Sequence, residues 1–82
     1  MDMYILSTSD QLGYQLVARR KALGLTQQEV ASRLGISQNR LSELESQPSQ
    51  LTVERLLALT GILGLELAIQ QRSQAPLSTS EW

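Results

Sequence analysis

The chain has 82 residues, 41% of them hydrophobic and 4% aromatic, with a formal net charge of −1 at pH 7; that length supports one domain with one small core. Cys and His are both absent, which excludes disulfides, thiol nucleophiles, Ser-His dyads and His/Cys zinc sites, and no metal or cofactor is expected. No apolar run nears the roughly 18 residues that cross a bilayer, and MDMYILSTSD has no basic stretch ahead of its apolar patch, so the expectation is a soluble, unexported, cytoplasmic protein with no membrane contact.

The small net charge conceals a segregated pattern. Between residues 17 and 40, Arg19, Arg20, Lys21, Arg33 and Arg40 stand against Glu29 alone, a local +4 offset by −5 over the rest of the chain. Solvated helix faces carry such clusters as readily as binding surfaces do, so the elements must decide.

A first helix is predicted after Ser7-Thr8-Ser9-Asp10-Gln11, where hydroxyl and carboxylate side chains can accept from unpaired N-terminal amides, and it runs to about Leu23. Leu12, Leu16, Val17 and Leu23 give it an apolar side. Arg19-Arg20-Lys21 complement its dipole, and Gly24 can take the left-handed conformation that stops it. The next three starts share one grammar. Thr26 and Glu29 form a T-x-x-E capping box, with Leu25 and Val30 placed as a hydrophobic staple. Ile36, Ser37 and Leu41 repeat the staple around a second cap, and Leu51, Thr52 and Leu56 repeat it again. Helices are therefore predicted over 26–34, 37–46 and 52–63.

Only Gly35 separates the second and third helices, and a connection that short forces a steep crossing, which is a helix-turn-helix. Val30, Ala31, Leu34, Ile36, Leu41 and Leu44 read as its inward side chains. Gln38, Asn39, Arg40, Ser42 and Glu43 remain outside. A solvated surface usually prefers Lys, Glu and Ala, which have better helix propensity than Ser or Asn, so this face asks for a partner.

The run TQQEVASRLGISQNRLSELE resembles the signature of the lambda-repressor-like, or XRE-type, helix-turn-helix domains: a Gln after the cap Thr, Ala and Gly at the turn, Ile-Ser opening the recognition helix, and a closing Glu. The likeness covers about residues 8–65. It implies that Ser37, Gln38, Asn39 and Ser42 meet base edges in the major groove of double-stranded DNA. It implies further that Arg40 reaches a base or a phosphate, that Thr26, Gln27 and Arg33 hold the phosphate backbone, and that Arg20 and Glu45 form a structural ion pair.

After Gly64 the chain reads LELAIQQR, with Leu65, Leu67 and Ile69 alternating against Glu66, Ala68 and Gln70 in a period-2 strand pattern. A lone strand leaves its backbone unpaired, and no second strand is evident, so pairing with a second copy is expected. The fold class expected is all-α, a small lambda-repressor-like bundle with a C-terminal β-strand that pairs across a homodimer. Residues 1–72 form the DNA-binding and dimerisation domain, and residues 73–82 a polar tail expected to be disordered alone.

A helix-turn-helix with a terminal strand and a polar tail ending in Glu-Trp is similar to HipB-type antitoxins. Ser37 and Asn39 are departures only from the best-known of these antitoxins, a narrower likeness carried by the C-terminal segment. That resemblance implies a dimeric repressor of its own operon, bound to a palindromic operator and to a HipA-like kinase toxin, with Trp82 as a partner-binding anchor. A stand-alone, phage-like XRE regulator without a toxin is the main alternative, and an adaptor that has lost DNA binding is a third. Enzymatic activity is not expected: Glu43 and Glu45 lie two apart and point to different helix faces, and no G-x-x-x-x-G-K phosphate loop exists.

Overall fold

Four hydroxyl side chains set where the helices begin. Thr8, Thr26, Ser37 and Thr52 each have extended backbone and accept the amide of the residue three positions on, at 3.1, 3.1, 3.0 and 3.1 Å. In the computed structural model, which describes residues 3–72, they open α1 (Ser9–Ala22), α2 (Gln27–Leu34), α3 (Gln38–Ser46) and α4 (Val53–Ile62), with a 3-10 turn at Pro48–Gln50 between the last two. The first helix starts inside the Ser-Thr-Ser-Asp-Gln stretch rather than after it. The cause is a second capping box: Gln11 Oε1 accepts from the Ser7 amide at 2.6 Å and the Thr8 amide at 3.3 Å, while Thr8 Oγ1 caps Gln11.

The turn between α2 and α3 is made by Gly35 at φ 79°, a conformation a Cβ would strain. Its N–H donates to the Ser32 carbonyl at 3.2 Å and the Ile36 N–H to Ala31 at 3.0 Å, so the last carbonyls of α2 are satisfied as the chain reverses. Gly64, at φ 68°, ends α4 the same way, and the Leu65 N–H reaches the Thr60 carbonyl at 2.8 Å.

Leu16, Val30, Ala31, Leu41, Leu59 and Leu63 form the buried core. The apolar residues at the three staples, Leu25, Ile36, Leu51 and Leu56, pack against it, as do Leu12, Leu34, Ile62 and Leu65. Leu44 is buried as expected. Leu23 is not: it caps α1 where the chain turns away, and is 42% exposed.

Helix α1 meets the 3-10 turn at Gly13, which is buried in mid-helix. A Cβ there would lie 2.5 Å from Pro48 Cγ, so the absence of a side chain is what admits the proline ring.

Beyond Gly64, residues 65–72 adopt no regular structure, and no β-strand forms among the described residues. Leu65 is half-buried against its own core, Leu67 is 44% exposed, and Ile69 is fully exposed. Trp82 and the tail over 73–82 lie outside the described residues.

Candidate nucleic-acid interface

Two opposite faces of α3 have opposite fates. Leu41 and Leu44 are buried, while Gln38, Asn39, Arg40, Ser42 and Glu43 are all exposed. The inward face is fixed by an ion pair as well as by leucine packing. Arg20, on α1, reaches Glu45 with Nε–Oε2 at 2.7 Å and Nη2–Oε1 at 3.1 Å, and its Nη1 donates to the Leu25 carbonyl at 3.0 Å. Both side chains are about 10% exposed, and a fork-to-fork geometry at that depth holds α3 against α1 and the start of α2. The expected structural pair is present.

Gln27, expected at the phosphate backbone, extends the same network. Its Nε2 donates to Glu45 Oε1 at 2.8 Å, and the side chain is half-buried. Sequence reasoning missed this link because 18 positions separate the partners. One amide hydrogen and the Oε1 atom of Gln27 are left for another contact.

Thr26 is committed to its capping box. Its hydroxyl accepts from the Glu29 amide at 3.1 Å and donates to Glu29 Oε1 at 3.2 Å, while the Thr26 amide donates to the same oxygen at 2.8 Å. These donors, the backbone N–H first, hold the Glu29 carboxyl below its ordinary 4.5, and Arg33 one turn on adds to the effect. The box satisfies the third amide of α2 and leaves those of Gln27 and Gln28 at the positive end of the helix dipole.

Only part of the basic cluster is available to a partner. Arg19 Nε donates to the Leu63 carbonyl at 2.8 Å, tying α1 to the end of α4, and Arg20 is buried. Arg33 and Lys21 are exposed and make no ion pair among the described residues. Arg40 Nη1 contacts Glu43 Oε1 at 2.9 Å and Gln50 Oε1 at 3.0 Å. The i,i+3 spacing of Arg40 and Glu43 was readable in advance; nothing in the sequence places Gln50 beside them.

Of the base-facing candidates, Ser37 caps α3 through its oxygen lone pair and keeps its hydroxyl hydrogen. Gln38, Asn39 and Ser42 have side chains with no hydrogen-bond partner among the described residues. An exposed row of unspent amides and a hydroxyl on a rigidly seated helix is an arrangement that can read donor and acceptor patterns.

Residues 16–70 match the sequence model of the helix-turn-helix family. The chain belongs to that family. The match runs from the middle of α1 through Gln70, so it includes the segment after α4 as well as the α2–α3 pair. No curated protein matches the sequence. Among solved structures, a chain of a HipB-O1-O2 complex is similar, with a TM-score of 0.76 and 25% sequence identity over 84% of this chain and 100% of that one. This helix-turn-helix protein is thus a DNA-binding regulator of the XRE type, with a fold like that of HipB.

Proposed function

We propose that the protein is a homodimeric, sequence-specific transcriptional repressor that occupies a palindromic operator and serves as the antitoxin of a HipA-like kinase, autoregulating its own operon. The observation that carries this reading is the row of unspent side chains on α3, Gln38, Asn39 and Ser42, presented by a helix whose other face is locked by Leu41, Leu44 and the Arg20–Glu45 pair. The amides of Gln38 and Asn39 each offer a donor and an acceptor to adenine, and the hydroxyls of Ser37 and Ser42 complete the base-facing set. Arg33, the exposed cation of α2, and the first-turn amides beside Thr26 and Gln27 hold the phosphates that fix the register.

The dimeric part of this reading is supported by the segment after α4. Leu67 and Ile69 are exposed on a segment whose backbone beyond Leu65 has no hydrogen-bond partner among the described residues, and pairing two such segments about a twofold axis would cover both, with Leu65 closing the join to each core. One module alone makes too few phosphate and base contacts to bind tightly, so repression depends on that pairing. The antitoxin role is supported by the likeness to HipB and by the terminal Trp82, whose large apolar surface suits an anchor in a partner's pocket.

The test has two arms. Titrated against the duplex upstream of its own gene, Gln38→Ala should lose about 1–3 kcal/mol and relax preference at one position, whereas Arg33→Ala should weaken all duplexes and lower the salt dependence. Equal affinity of the parent for that duplex and for random DNA would remove the repressor reading. Calorimetric titration of a purified HipA-like kinase with intact protein, with Trp82→Ala and with a chain lacking residues 73–82 forms the second arm. Absence of binding by the intact protein would leave a stand-alone regulator.

A further inference from the structure

Arg40 is the only cation of α3, and its guanidinium is held rather than free. Nη1 has two hydrogens and two acceptors, Glu43 Oε1 at 2.9 Å and Gln50 Oε1 at 3.0 Å. Gln50 belongs to the 3-10 turn after α3. Its own amide is oriented, because Nε2 donates to Gln47 Oε1 and the carbonyl oxygen is thereby turned toward Arg40. The turn itself is anchored by Pro48, which is buried against α1 at Gly13.

With Nη1 spent, Nε and Nη2 have no acceptor among the described residues. Those two nitrogens form one edge of the guanidinium, with parallel N–H bonds at the spacing of guanine N7 and O6. A flexible arginine would satisfy a phosphate as readily as a base. One pinned at Nη1 presents a single edge in a single orientation, and the adjacent Glu43 carboxylate offsets its charge, so its contribution is directional more than electrostatic.

We propose that Gln50, outside the helix-turn-helix, is a positioning residue for sequence choice: with Glu43 it sets Arg40 as a fork that reads a G·C pair in each half-site. The proposal rests on the DNA-recognition reading above and assigns one base pair within it.

Selection from a pool of randomised duplexes tests it, followed by affinity measurements on the selected duplex and on its single G·C to A·T variants. The parent should prefer G·C about tenfold at one position per half-site, and Arg40→Ala should abolish that preference. Gln50→Ala should reduce it to about threefold, with other positions, melting temperature and salt dependence unchanged. An unaltered G·C preference in Gln50→Ala, beside its loss in Arg40→Ala, would overturn the positioning role. Uniform weakening of all duplexes by Arg40→Ala, with a shallower salt dependence, would make Arg40 a phosphate contact and overturn the proposal. A parent that selects no sequence at all would instead overturn the recognition reading on which the proposal stands.

Discussion

Gly13→Ala sets two ordinary effects against each other, and the structure decides the sign. Replacing a mid-helix glycine by alanine stabilises a helix by about 0.8–1.0 kcal/mol when nothing else changes. At Gly13 the new Cβ would stand 2.5 Å from Pro48 Cγ, 3.2 Å from Pro48 Cβ and 3.3 Å from the Glu45 carbonyl oxygen. Comfortable carbon–carbon contact is roughly 3.5–4.0 Å, so the turn must retreat by about 1 Å. Neither a proline ring nor a backbone carbonyl yields by a side-chain rotation, and overpacking of this kind costs about 1–3 kcal/mol or more. Because the gap is well below contact distance, the upper part of that range applies, and the net loss should be about 1–2 kcal/mol, or roughly 4–16 °C in Tm for a domain of this size. Gly61→Ala is the control. It lies in α4 with nothing within 4 Å of its would-be Cβ, so the propensity gain should stand alone. Urea and thermal unfolding by circular dichroism at one protein concentration measures both. A Gly13→Ala protein as stable as its parent, beside a stabilised Gly61→Ala, would refute the close packing of α1 on the 3-10 turn.

Glu45→Ala strands the buried Arg20 guanidinium and removes the acceptor of Gln27, and should cost about 3–5 kcal/mol in urea unfolding, whereas Glu45→Gln, which keeps an oxygen, should cost less. Ile69→Asp should yield monomers or unfolded chain in sedimentation, because the proposed strand pairing would bury an unpaired charge; a folded dimer would exclude the shared sheet. Glu29 has a folded pKa below its ordinary 4.5, so its cap is intact above that value and is lost as pH falls through the folded pKa. Amide exchange at Gln27–Val30 should quicken over that acid range in the parent, with no matching transition in Glu29→Gln.

What the sequence made legible was local. Thr26 with Glu29, Ser37 and Thr52 announced three helix starts, because a cap and its amide lie three residues apart and need no tertiary information. The same reasoning could have placed the first start: Thr8 and Gln11 form a capping box too, and only the expectation that the whole Ser-Thr-Ser-Asp-Gln stretch precedes the helix moved it. Legibility ended where partners lie far apart in the chain. Arg19 and Arg20 looked alike as dipole complements at the end of α1, yet one guanidinium caps the α4 terminus 44 residues away and the other is buried on Glu45, 25 residues away. Family resemblance supplied the second contact and nothing supplied the first.

The interface carries the same division between local and distant information, with a consequence for how DNA is recognised. The residue types of Gln38, Asn39 and Ser42, and their place on the outer side of α3, follow from helical periodicity alone, and so does the inward run from Val30 to Leu44. The cationic appearance of residues 17–40 was misleading. Arg19 and Arg20 are consumed inside the fold and Arg40 is paired with Glu43, which leaves Arg33 and Lys21 as the exposed cations of that stretch without an ion-pair partner among the described residues. Arg55 and Arg72 also make no ion pair among the described residues, so four unpaired cations per chain are on hand for phosphates, and recognition should lean on base contacts as well as on charge. A parent protein whose salt slope corresponds to four or fewer phosphates per chain would agree with that count. A slope of six or more per chain exceeds what Lys21, Arg33, Arg40, Arg55 and Arg72 can supply, and would mean that Arg19 or Arg20 leaves Leu63 or Glu45 on binding and that the helical core reorganises around DNA.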